Sequence, residues 1–142
     1  MTFNGARFDL PFIKREYPEI EFDQLHSDLM YPLRRIGYAG GLKGCERRLG
    51  LQRPGLEDLD GFFAVLLWHD FRKNGNPRAL ETLLAYNIAD TVNLAALMAM
   101  AYNQNLTGTP FEATRSVAVP ALPDLPFQPD QETIDRIRRH GG

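Results

Sequence analysis

Two carboxylates far apart in the chain stand where packing alone gives them little reason to be. Asp9 follows the turn pair Asn4-Gly5 and precedes the apolar run Leu10-Pro11-Phe12-Ile13. Asp90 interrupts an apolar stretch, and Tyr86 precedes it by one helical turn, which puts phenol and carboxylate on one face. Acids converging from distant parts of a chain suit a divalent-cation centre for phosphate chemistry, because hard cations take carboxylate oxygens. A phenol beside one such ligand can hold a water in line with phosphorus. Each residue also has a plainer reading. Asp9 can cap the helix after it. Tyr86 alone suits half-buried packing. Asp90 can be neutralised by an arginine, since unpaired acids are rarely buried.

The elements that must carry these residues follow from pattern. Met1-Thr2-Phe3 reads as the end of a buried strand, stopped by Asn4-Gly5. A helix is expected over 10–17, ended by Pro18. Residues 21–29 read as a second short strand ending near His26-Ser27-Asp28, where α/β sites tend to lie. Asp28 there either caps the next helix or supports the site from behind. A helix over 31–36 tolerates Pro32 in its first turn, and 42–49 is a short basic helix closed by Gly50. Residues 59–73 form an amphipathic helix with Phe62, Phe63, Leu66, Leu67 and Phe71 inward, and Trp68 is assigned to the core.

Asn76-Pro77 opens the longest helical pattern. Its expected packing ridge is Leu80, Leu84, Ile88 and Val92, continuing through Ala95 and Ala99, with Tyr86, Asp90 and Asn93 on another face. Pro110, Pro120, Pro123, Pro126 and Pro129 mark a linker or an extended strap, and 131–140 reads as a terminal helix capped by Asp130.

At 142 residues, with 44% hydrophobic content and nine Phe, the chain suits one domain with a modest core and excludes disorder. A net charge of −2 excludes a global positive field. Locally, Arg34, Arg35, Lys43, Arg47, Arg48 and Arg53 are opposed only by Glu46, which suits a nucleic-acid backbone or a solvated face equally. The single cysteine, Cys45, excludes an intrachain disulfide and a cysteine-based zinc site, and fits a reducing compartment. No signal peptide is visible, and the apolar-rich run 94–102 is too short for a bilayer, so a soluble cytoplasmic protein is expected. His69-Asp70 lacks the further histidines of a metal phosphohydrolase, and a satisfied or solvent-facing histidine is preferred.

Asn4-Gly5-x-x-Phe8-Asp9 and Tyr86-x-x-x-Asp90 together resemble the second and third exonuclease motifs of the DEDD superfamily, the tyrosine marking its DEDDy branch. Phe8-Asp9-Leu10-Pro11-Phe12, Asp28-Leu29, the segment 42–50 and Tyr86-Asn87-Ile88-Ala89-Asp90 follow the order seen in the YprB-type ribonuclease H-like domain. The resemblance covers roughly residues 2–104. It implies a 3′-5′ exonuclease that hydrolyses phosphodiesters of DNA or RNA with two bound cations, Mg2+ or Mn2+. Asp9 and Asp90 would then be metal ligands and catalytic acids, and Tyr86 would orient or help deprotonate the attacking water. Asn4, Arg34, Arg35, Lys43, Arg47 and Arg48 would face nucleic acid.

The family's first motif, an Asp-x-Glu pair on the first strand, should precede Asn4, and residues 1–3 do not hold it. The expectation is therefore a helix-dominated α/β, partial RNase H-like fold lacking its first strands. It comprises an exonuclease-like part over 1–105, a proline-rich linker or strap over 106–130, and a short helix and tail over 131–142. A truncated or split protein of this kind is expected to be inactive alone and marginally stable or self-associating. The alternative is a non-catalytic module that binds nucleic acid or protein.

Overall fold

The chain forms seven helices among the described residues, 1–140, of the computed structural model. They are α1 (Asp9–Glu16), α2 (Met30–Arg35), α3 (Gly41–Arg48), α4 (Gly61–Asn74), α5 (Pro77–Leu106), α6 (Glu112–Arg115) and α7 (Gln131–His140). Asp60 caps α4 by accepting from the Phe63 amide at 2.8 Å. Gly75, at φ +65°, closes α4 by donating to the Phe71 carbonyl at 3.0 Å. Asp130 caps α7 through the Thr133 amide at 2.9 Å. Residues 141–142 of the expected tail lie outside the described residues.

The expected strand over 21–29 is reduced to one parallel bridge, Thr2 with Asp28. The Thr2 amide donates to the Ser27 carbonyl, and the Leu29 amide to the Thr2 carbonyl, both at 2.9 Å. Residues 21–26 are exposed and touched by side chains, the Thr2 hydroxyl at His26 (2.8 Å) and the Lys14 ammonium over the Phe22 ring (5.9 Å), and a strand needs a paired backbone to hold it. The α/β class is a proposal carried by the family resemblance.

Two units divide the chain differently from the expected boundaries at 105 and 130. The first comprises Met1–Leu51 and Asn93–Leu122. Its core is Leu29 and Leu33 of α2, Cys45 of α3, and Leu97 and Ala101 of α5, with Phe3, Tyr38 and Leu42 against them. The second comprises Gln52–Val92 and the chain from Pro123. There Leu56, Leu59, Phe63 and Leu67 pack with Ala85, Tyr86 and Ala89 of α5 and with Ile134 and Ile137 of α7.

In α5 the expected packing ridge is the less buried one. Leu80, Leu84, Ile88 and Val92 are half-buried, whereas Ala79, Thr82, Ala85, Tyr86, Ala89 and Asn93 are buried. Small side chains let neighbouring elements approach closely, and the polar members of this face are all bonded. Thr82 donates to the Arg78 carbonyl at 2.8 Å and accepts from the Asp130 amide at 2.9 Å. Asn93 donates to Glu46 at 2.8 Å.

Trp68 and Phe62 are exposed rather than core, because α4 buries the stripe Phe63, Leu67, Asp70. By length and composition α5 is also long and apolar enough to cross a membrane, contrary to the sequence expectation. Its midpoint carries Asp90, partnered by Arg53, and Asn93, partnered by Glu46, which is the construction of a core helix.

Candidate functional site

Tyr86 and Asp90 share the face of α5 that the i, i+4 spacing predicts, and Arg53 completes a cluster with them. Arg53 sits in the turn before Leu56, whose amide donates to the Arg53 carbonyl at 2.9 Å. The turn is tight: Gly55 lies at φ +77°, and a Cβ there would stand 2.7 Å from Pro129. From this turn the Arg53 guanidinium reaches inward and donates through Nη1 to Asp90 Oδ1. The Arg53 side chain is 4% exposed and that of Asp90 31%, so the pair is shielded on the cation side and open on the carboxylate side.

Burial, then the Asp90 carboxylate beside it, pushes the Tyr86 phenol up to about 12. At neutral pH the phenol keeps its proton. It can donate a hydrogen bond and hold a water, but it has no basicity for removing a proton from one.

In the first unit a second carboxylate organises the turn that leads to Asp9. Asp28 is buried and accepts from the Asn4 amide at 2.7 Å, the Ala6 amide at 3.1 Å and the Met30 amide at 3.2 Å. Asn4 adopts φ +62°, a left-handed conformation that asparagine tolerates better than most residues. Asp28 thus clamps the Asn4-Gly5 turn and bonds the first amide of α2, where Leu29 holds the cap position. Asp9 is the first residue of α1, exposed, and makes no capping bond; Phe8 holds the cap position.

The basic run resolves into unlike members. Arg34, Arg35 and Arg47 are exposed on α2 and α3. Arg48, also exposed, donates to the Gly37 carbonyl at 3.1 Å and lies over the Tyr38 ring at 5.0 Å. The Lys43 ammonium is buried, and Arg53 belongs to the Asp90 cluster. His69 is exposed while Asp70 is buried and bonded elsewhere, so the two form no ligand pair.

A metal centre is implied by resemblance, and the residues present do not fit one. Among the described residues no group of three or more His, Cys, Asp or Glu could hold an ion. Asp90 already spends Oδ1 on Arg53, and the chain's one Asp-x-Glu string, Asp130-Gln131-Glu132, is used at the cap of α7. Arg53 is the site residue that sequence reasoning placed wrongly, in the surface run. The signal that could have found it is the need of a mid-helix acid for a buried cation.

Comparison with known proteins agrees with the YprB-type ribonuclease H-like resemblance. The matching family, over residues 1–102, is the RNase H superfamily. A Bacillus subtilis (strain 168) relative, the uncharacterized protein YprB, is 32% identical over 109 residues, covering 68% of this chain and 26% of that protein. The chain therefore spans about a quarter of the length of that curated relative. No solved structure matches.

Proposed function

This chain belongs to the RNase H superfamily, and from that premise we propose that it is the part of a 3′-5′ exonuclease domain that carries the second and third motifs. Its reaction is hydrolysis of phosphodiesters in single-stranded DNA or RNA, in the cytoplasm. Nucleases of this superfamily generally use divalent metals, and Mg2+ or Mn2+ is the expected ion. The observation that carries the reading is the cluster of Tyr86, Asp90 and Arg53: a protonated phenol beside a carboxylate whose open side faces solvent. Asp9 and Asp90 are the acids of the two motifs, and Tyr86 positions a water. Because these residues alone do not fit a metal centre, no step is routed through an ion, and residues 1–142 are inactive by themselves.

The test joins the segment that precedes the matched region of the Bacillus subtilis relative to Met1. The fusion should shorten a 5′-labelled oligonucleotide stepwise with Mg2+ or Mn2+, and lose that activity in Asp9→Ala and Asp90→Ala. Activity that survives Asp90→Ala, or no activity in the fusion, would defeat the reading. Cleavage by the 142-residue chain itself would overturn its inactivity. A second reading, a non-catalytic module that binds nucleic acid or protein, is supported by Arg53 occupying Asp90. It predicts salt-dependent oligonucleotide binding without metal and no cleavage in either form.

A further inference from the structure

We propose that the first unit holds one unstacked base of a single-stranded nucleic acid in a cavity between the amino-terminal segment, α2 and the start of α3; this rests on the nucleic-acid reading above. The cavity measures about 170 Å³ and is lined by Phe3, Met30, Arg34, Tyr38 and Cys45, with Ala39, Gly40 and Gly41 at the turn. Drug-sized ligands need pockets of roughly 300–1,000 Å³, so this one suits a single ring system.

Its walls suit a flat, weakly polar ring. Phe3, Met30 and Tyr38 are apolar or aromatic, and Arg34 supplies the charged member. The Tyr38 ring is contacted at its edge and on its face: its hydroxyl accepts from Gln104 Nε2 at 3.1 Å, and Arg48, bonded to the Gly37 carbonyl, lies over the ring. A fixed aromatic wall loses little entropy when a base stacks against it. Gly40 and Gly41 take φ +104° and +73°, and no side chain from either narrows the turn. Arg35 and Arg47, exposed on the same two helices, offer cations to the flanking phosphates. An apolar ring carrying an anionic tail satisfies the cavity and its cationic surroundings together.

The site also lies on the segment that leads to the second motif. Phe3 precedes Asn4, whose turn is clamped by Asp28 and delivers the chain to Asp9. A base held by Phe3 would fix the register of the strand relative to that turn.

The experiment is fluorescence anisotropy on the full chain with 5′-labelled (dT)8 and with the same octamer made wholly abasic, in EDTA at fixed salt. The abasic octamer should bind roughly tenfold or more weakly, the size expected of one stacked base. Ala39→Trp, checked for folding by circular dichroism, should bring (dT)8 to the abasic level without further weakening the abasic octamer, whereas Arg34→Ala should narrow the gap between the octamers while weakening both through the lost cation. Equal affinity for both octamers overturns the cavity while leaving nucleic-acid binding standing. A base preference that both variants retain also overturns it. Failure to bind either octamer defeats this inference together with the nucleic-acid reading. EDTA removes cleavage from the comparison, so the outcome is independent of whether the chain hydrolyses anything.

Discussion

Asp28 in the first unit and Asp70 and Asp90 in the second are satisfied in opposite ways. In the first, Asp28 is met by three backbone amides, those of Asn4, Ala6 and Met30. In the second, Asp90 is met by Arg53, and Asp70 by a two-pronged grip from Arg136 with Asn74 and Asn76 adding bonds at 2.7 Å. Amides are neutral donors that belong to the turn itself, so the acid shapes the backbone and its removal leaves groups that water can reach. An arginine brings its own charge, so removing the acid takes a counter-charge from a cation as well as an acceptor from a donor. Organisation by turn and organisation by charge should therefore fail differently.

The largest effect is expected at Asp90. Asp90→Ala removes the carboxylate that the buried Arg53 guanidinium bonds, a loss of about 2–3 kcal/mol in urea unfolding. Replacing both partners by apolar residues, Arg53→Met with Asp90→Leu, should recover most of that stability, because the buried charge leaves together with its carboxylate. If Asp90→Ala is neutral, the pair is not what holds this turn against α5.

Next comes Asp70. The Arg136 guanidinium bonded to it, against the opposing cost of burial and with Asn74 and Asn76 helping, holds its carboxyl down from 3.8 to about 2. A depressed folded value means the contribution is fully present above the unfolded value and is lost as pH falls through about 2. The linkage amounts to about 2 kcal/mol. Asp70→Asn should lose that amount at neutral pH and flatten the stability profile between about pH 4 and 2. An unchanged acid limb in the variant would mean that Arg136 contributes nothing to holding α7.

These arginine partners mark the boundary of what the sequence makes legible. Helix ends are local and readable: Asn76-Pro77 opens α5, Gly75 closes α4 and Asp130 caps α7. So is the shared face of Tyr86 and Asp90, which spacing alone predicts. The packing face of α5 is not readable in the same way. Leu80, Leu84, Ile88 and Val92 are the most apolar ridge, yet the alanine-rich face lets neighbours approach and is buried instead. Arg53 reads as one more member of a basic run, because only the fold shows its Gly55 turn directing it to Asp90. The strand over 21–29 misleads for a related reason: β pairing is non-local, and composition cannot supply the neighbour.

Asp28 should sit below both arginine-bound acids. Asp28→Ala removes the acceptor for three amides, two of them in a turn open to water, at a cost of about 1–2 kcal/mol. The sharper readout is local. Amide exchange at Asn4, Ala6 and Met30 should quicken while that of α4 and α7 stays unchanged, since the clamp belongs to the first unit. Exchange that quickens equally throughout would erase the contrast between the two modes of organisation.

The smallest effect tests whether the exposed face of α1 is exposed in solution. No residue of α1 is buried, and Phe8 and Phe12 are 72% and 57% exposed. Truncating a side chain that water already surrounds changes stability by no more than about 0.5 kcal/mol. Phe12→Ser should therefore move the melting temperature by only about 1–2 °C, at every protein concentration. A much larger loss that grows on concentration would show this aromatic face covered by a second copy, because mass action makes such stability depend on the protomer. The first unit would then be completed by association, and its contrast with the arginine-tied second unit would lie in what covers each core as much as in how each satisfies its acids.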